Sequence, residues 1–210
     1  MIAGADGCRN GWVVASVLGA SVETRLRLDA YDVLGVDMPI GLPDSSPRAC
    51  DLQARAFLGS RRSSVFPAPP RACLEATDYA DALARCRTAL GVGLSLQAFH
   101  LLPKIREVDA LVSPADDRCV AEVHPECAFL LLNEMEPLPP KRTPEGAQLR
   151  RELLTRLFGP LPAVPRGARP DDLLDAFAVL WSAERFSRGE HLQFGDGSRD
   201  QVGLPMRIVC

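Results

Sequence analysis

No stretch of the 210 residues approaches the ~20 consecutive apolar positions of a membrane-spanning helix, and no basic-then-apolar leader opens the chain. The expectation is a cytoplasmic protein with no membrane association. Cys-x-x-Cys spacing is missing as well. Cys8, Cys50, Cys73, Cys86, Cys119, Cys127 and Cys210 are odd in number and scattered, so they read as reduced, mostly buried thiols, and no zinc ribbon or redox motif is expected. A basic balance is also absent. A net charge of −3 and a pI near 5.7 do not supply the broad positive footprint of a protein that grips nucleic acid non-specifically. Arg48, Arg55, Arg61, Arg62 and Arg71 leave room only for a local positive strip. With no internal repeat, 47% hydrophobic and 24% charged residues, the chain reads as one folded domain of generous size.

Turn signals and periodicity divide the chain. Three β-like runs, 2–6, 11–18 and 22–28, are separated by glycine-containing turns at 7–11 and 19–21 and suggest an antiparallel meander. In the third run Val22, Thr24, Leu26 and Leu28 alternate with charged or polar residues, as in a strand with one solvated face. A fourth strand at 33–38 is stopped by Pro39. Helical pattern then dominates about 45–115, with helices over 47–58, near 78–90 and 95–111, and a stiff proline loop at 63–70. A fifth strand spans 119–124, and helices follow from 125, over 144–158 and over 170–188. The last carries Leu173, Leu174, Phe177, Leu180 and Trp181 at spacings of three and four, which makes one buried face.

Acidic residues interrupt the apolar runs. Asp6 ends the first strand, Asp37 the fourth, Glu122 sits inside the fifth, and Asp171, Asp172 and Asp175 open the last helix. An apolar strand accepts a carboxylate at low cost only beside something positive, so Asp6, Asp37, Glu122, Asp172 and Asp175 are candidate ligands for divalent metal, Mg2+ or Mn2+. Two such ions about 4 Å apart activate water on one side of a phosphodiester and stabilise the leaving oxygen on the other. Turn chemistry would also account for Asp6. Asp171, next to Pro170, is read as the helix cap, and Asp172 and Asp175 as the chemical pair. Glu126 after Pro125 reads as a first-turn helix acid. His124 either serves catalysis, orienting water or protonating a leaving group, or is a satisfied structural residue. Arg61, Ser63 and Ser64 ahead of the proline loop, with Gln97 and Lys104, are candidate phosphate contacts, each with a solvated-surface alternative.

Three hairpin-connected strands, two more separated by helices, and a closing helix match the order of an RNase H-like α/β fold, a mixed five-stranded sheet flanked by helices with a helical insertion between strands four and five. The strings Gly4-Ala5-Asp6-Gly7-Cys8-Arg9, Val36-Asp37-Met38-Pro39-Ile40-Gly41, Ser63-Ser64-Val65-Phe66-Pro67, Pro103-Lys104-Ile105-Arg106, Glu122-Val123-His124-Pro125-Glu126 and Asp171-Asp172-Leu173-Leu174-Asp175 together resemble an uncharacterised family of predicted nucleases of RNase H-like fold, the domain of unknown function 429. Asp172-x-x-Asp175 also resembles the last metal-binding helix of RuvC-type resolvases. The resemblance implies a metal-dependent nuclease with DNA or RNA as substrate. Only Asp29 to Asp32 separate the third and fourth runs, too few for the helix many relatives place there, so Glu122 is expected to replace the acid that helix supplies. The alternatives are a nucleotide-binding phosphotransferase or ATPase of the related actin-like fold, suggested by Gly4 to Cys8, and a non-catalytic module that binds nucleic acid or protein. A homodimer stays open.

Overall fold

The computed structural model describes all residues, 1–210. In chain order its elements are β1 (Ile2–Cys8), β2 (Gly11–Ser16), β3 (Gly19–Glu23), β4 (Val33–Val36), α1 (Ala49–Leu58), α2 (Tyr79–Leu90), α3 (Leu96–Leu111), β5 (Val120–Glu122), α4 (Pro125–Leu132), α5 (Pro144–Phe158), α6 (Pro170–Arg188), β6 (Gln193–Phe194) and β7 (Ile208–Val209). Two compact units emerge, one of residues 1–37, 118–192 and 209–210, the other of 38–117 and 193–208. The helical stretch expected over about 45–115 lies within the second. No helix is long and apolar enough to cross a membrane.

The first unit holds a five-stranded sheet in the order β3-β2-β1-β4-β5. β1 pairs antiparallel with β2 and β2 with β3, whereas β1–β4 and β4–β5 are parallel. This is the mixed five-stranded α/β class expected from the element order. The third run differs from its expected span. Val17 and Leu18 make a two-residue hairpin turn, the strand resumes at once at Gly19, and it ends at Glu23 opposite Trp12. The alternation from Thr24 onward leads instead into a single 3-10 turn, Leu28–Ala30.

Helix α6 packs against β1, β2 and β4, and α4 and α5 pack against α6. Close approach is possible because Gly4 and Gly35 stand where the helix crosses. A Cβ on Gly4 would lie 2.1 Å from the Leu180 amide nitrogen and 2.5 Å from the Ala176 carbonyl oxygen, and one on Gly35 would lie 2.8 Å from a Val179 methyl. The helix is buried nearly all round from Leu173 to Leu180, including Ala176, Ala178 and Val179, so it is a central element more than the one-faced amphipathic helix its leucine spacing suggests. Trp181 is only half buried, and Arg185 lies over its ring at 4.8 Å.

In the second unit α2 and α3 begin at caps, where Asp78 accepts from the Asp81 amide and Ser95 from the Ala98 amide. Arg48 and Asp51 are both buried. Arg48 donates to both Asp51 oxygens and to the carbonyls of Ile40 and Gly41, and Asp51 also accepts from the Ala68 amide at 2.9 Å. Arg71 pairs with Asp109 through two bonds of 2.8 Å and with Asp200, whose carboxylate also accepts from the Leu42 and Leu204 amides. Arg48 and Arg71 therefore serve the interior of this unit and are withdrawn from the positive strip that sequence suggested. Their charges are consumed by buried carboxylates.

Candidate metal centre

Register decides which acids meet. In parallel strands directly paired residues project to the same face, and successive residues alternate. Ala5, Val36 and Glu122 are such partners, so Asp6 and Asp37, one position further along, share the opposite face. The Asp37 amide donates to the Ala5 carbonyl at 2.9 Å, which keeps the two strand ends together. Gly4 and Gly35 lie on that same face, the one α6 covers. Asp175 sits one turn before Val179 and next to Ala176, both of which touch these glycines, so the helix delivers its carboxylate to the ends of β1 and β4.

Three carboxylates from three elements thus come within electrostatic reach of one another. Asp6 and Asp175 are 8% and 4% exposed, and Asp37 keeps partial access to solvent. Burial pushes the Asp6 carboxyl well above the usual range, and the charges of Asp37, Asp175 and Asp172 push the same way. Asp37 is raised to about 8, first by burial and then by Asp175, although a hydrogen bond with the Asp6 carboxyl favours its ionised form. Burial also lifts Asp175, to about 6, against the attraction of Lys141. The cation is Lys141, whose Nζ donates to Asp175 Oδ2 at 2.6 Å. Burial opposes its charge, but Asp175, Asp37 and Asp6 outweigh that and hold the ammonium above its ordinary range.

Of the other sequence candidates, Asp172 and Glu122 stay within electrostatic reach of the centre, and the rest stand elsewhere. Glu122 is buried but projects from the sheet face opposite Asp6 and Asp37, because its register partner is Val36. Its charge nonetheless reaches Asp37 and helps to raise that carboxyl. His124 is half buried and immediately precedes α4. Asp172, not Asp171, caps α6: its Oδ2 accepts from the Arg169 amide at 2.8 Å, while half-burial raises its carboxyl. The capping role expected of Asp171 thus falls to Asp172, and Asp171 lines a cavity of about 290 Å³ with Lys141, Arg142, Arg150, Leu174 and Asp175. Arg61, Ser63 and Ser64 lie on a 3-10 turn of the second unit, Gln97 is exposed in the first turn of α3, and Lys104 pairs with Glu107 at 3.8 Å.

Two features escaped the sequence. Lys141 follows the Pro139-Pro140 break, where no periodicity marks it. Glu126 is no simple first-turn acid: Arg150 Nη2 donates to both its oxygens at 3.0 and 2.8 Å, and Arg150 Nη1 donates to the carbonyls of Pro139 and Gly146. That buried pair ties α4, α5 and the segment bearing Lys141 together.

The donor set suits a hard divalent cation chemically, since it offers only carboxylate oxygens and more of them than the local ammonium can neutralise. In this conformation, however, no three His, Cys, Asp or Glu side chains converge as a ready ligand set. Lys141 occupies the cationic position at Asp175. By class this is an α/β protein with a buried carboxylate centre where two parallel strands end beneath a helix. It belongs to the DUF429 family, described as a protein of unknown function, whose model matches residues 4–199. No curated protein and no solved structure gives a significant match to the chain.

Proposed function

We propose that the protein is a metal-dependent phosphodiesterase of RNase H-like fold, a nuclease acting on DNA or RNA, with Mg2+ or Mn2+ held by Asp6, Asp37 and Asp175. The observation that carries this reading is that those three acids, far apart in sequence, lie within electrostatic reach of one another where β1 and β4 end beneath α6. An isolated buried carboxylate is costly, and three together are more so, unless a cation offsets them. A bound divalent ion supplies an acidified water and stabilises charge on the departing oxygen. Asp6 and Asp37 would hold it as carboxylates, and the burial of Asp6 beside the half-buried Asp37 would limit competition from bulk water. Asp175, fixed on a packed helix, would supply the third carboxylate. Asp172 stays with the Arg169 amide and steadies the first turn of that helix.

Cleavage of single-stranded, duplex, hybrid and four-way-junction substrates with Mn2+ or Mg2+ tests the reading. Wild type is expected to cut at least one of them, and Asp37→Asn and Asp175→Asn to lose at least a hundredfold in rate. Absence of cleavage across the panel, or cleavage unchanged in both variants, rejects it and brings ATP hydrolysis forward.

A further inference from the structure

Of the 24 basic residues only two are lysines, Lys104 and Lys141, and the second stands at the carboxylate centre. It reaches Asp175 from a turn just ahead of α5, with its side chain 39% exposed. Asp6 and Asp37 make no ion pair of their own. Beside Lys141 opens the cavity of about 290 Å³, where Arg142 adds an exposed guanidinium and Asp171 and Asp175 add opposing charge.

We infer that Lys141 is an exchangeable stand-in for the divalent cation, holding Asp175 in the metal-free protein and moving into the adjoining cavity when the cation arrives, where its ammonium receives a phosphate group. The inference rests on the metal reading above. Three observations lead to it. The Lys141 ammonium occupies Asp175 Oδ2 at 2.6 Å, and its departure frees that oxygen for the centre. An ammonium on a four-carbon stem is a compact point charge that can be traded for a metal ion, whereas a guanidinium would grip the carboxylate through a planar fork, so lysine in an arginine-dominated chain is the residue suited to exchange. Finally, in the metal-free protein Lys141 is spent on Asp175 and Arg142 is offset by Asp171, so the cavity carries no surplus positive charge to draw an anion. Once the cation neutralises Asp175, Lys141 and Arg142 outweigh Asp171, so the phosphate subsite forms only in the loaded protein. Cation first and phosphate second is the order that follows.

The scarcity of lysine makes the test direct. Protein carrying isotopically labelled lysine gives two side-chain NMR signals, with Lys104 as the internal reference. Titration of the wild type with Mg2+ is expected to shift the Lys141 signal saturably and leave Lys104 in place, and added inorganic phosphate to shift it again only when Mg2+ is present. By calorimetry Lys141→Met is expected to bind Mn2+ about tenfold more tightly than wild type, because the competing cation is gone, while Lys141→Arg gains nothing. Saturable Mg2+ binding with Lys141 unmoved, or Mn2+ binding no tighter in Lys141→Met, overturns the exchange and leaves the metal reading intact. No binding of either ion to wild type or variant removes both. The wild-type titration stands whether or not the methionine variant folds.

Discussion

Asp37 and Asp175 make the stability of the metal-free protein depend on pH. Their folded carboxyls are raised to about 8 and about 6, each by burial first, against an unfolded value near 4. The folded chain thus keeps protons that the unfolded chain releases. This stabilisation is complete below about pH 4 and is lost as pH rises through 6 and then 8. At ~1.4 kcal/mol per pKa unit, and discounting Asp37 for its partial exposure and its coupling to Asp6, urea unfolding in EDTA is expected to show a loss of about 2 kcal/mol between pH 5 and pH 8.5. Asp37→Asn should recover about 1 kcal/mol of it at pH 8.5 while losing activity, and saturating Mg2+ should remove most of the pH slope in wild type. A flat profile in EDTA would contradict the electrostatics described. Arg150 offers the opposite case. Arg150→Ala leaves Glu126 buried without its cation and is expected to cost about 3–5 kcal/mol by chemical denaturation. Asp6, Asp37 and Asp175 were legible in the sequence because each interrupts an apolar run. Glu122 met the same criterion, yet its side of the sheet depends on a strand register that no single segment encodes. Asp171 and Asp172 both satisfy capping rules, so only the hydrogen bond to Arg169 separates them.

Among the elements, the contact of β1 with α6 depends on the missing side chain at Gly4. Gly4→Ala would force a methyl into the backbone of Ala176 and Leu180, and neither backbone can yield without moving the helix. A loss of about 3 kcal/mol is expected from thermal or urea unfolding, at the upper end of ordinary overpacking. Because the displaced helix carries Asp175, the variant should also bind Mn2+ at least tenfold more weakly where it remains folded; an unchanged affinity would uncouple helix seating from the centre. Elements with strong caps or punctuation were the legible ones. The spans of α2, α3 and α5 follow from Asp78, Ser95 and Thr143 at their starts. β3 was read too far along because the alternating pattern from Thr24 to Leu28 mimics a strand, whereas pairing from Gly19 to Glu23 already uses the length of β2. Local periodicity records a preference, and the partner strand sets where it ends.

For the whole molecule, charge and order of elements matter most. The order of strands and helices was enough to expect a mixed sheet with a helical insertion before β5, because short hairpins force antiparallel neighbours and long connections permit parallel ones. The grouping of 193–208 with 38–117 was not legible, since nothing in the composition of that late segment marks it. A net charge of −3, with Arg48 and Arg71 committed to internal acids, gives no surplus of positive charge for extended backbone contact. On the proposed reading, binding of nucleic acid to Asp175→Asn is therefore expected to depend only shallowly on salt. With about two or three phosphates neutralised, affinity should fall about ten- to fortyfold between 50 and 200 mM salt, and a much steeper slope in a salt titration would reveal a basic surface elsewhere.

The bare backbone at Gly4 and Gly35 also bears on tolerance to change. A helix seated on side chains shifts whenever one of them is exchanged for a larger or smaller neighbour. Here the seat is main chain against main chain at β1, so the separation between that strand and one helical turn is fixed by the contact radii of backbone atoms. Most of the surrounding interior can drift in composition over evolutionary time without altering the spacing of the three acids, and the two glycines are where that freedom stops.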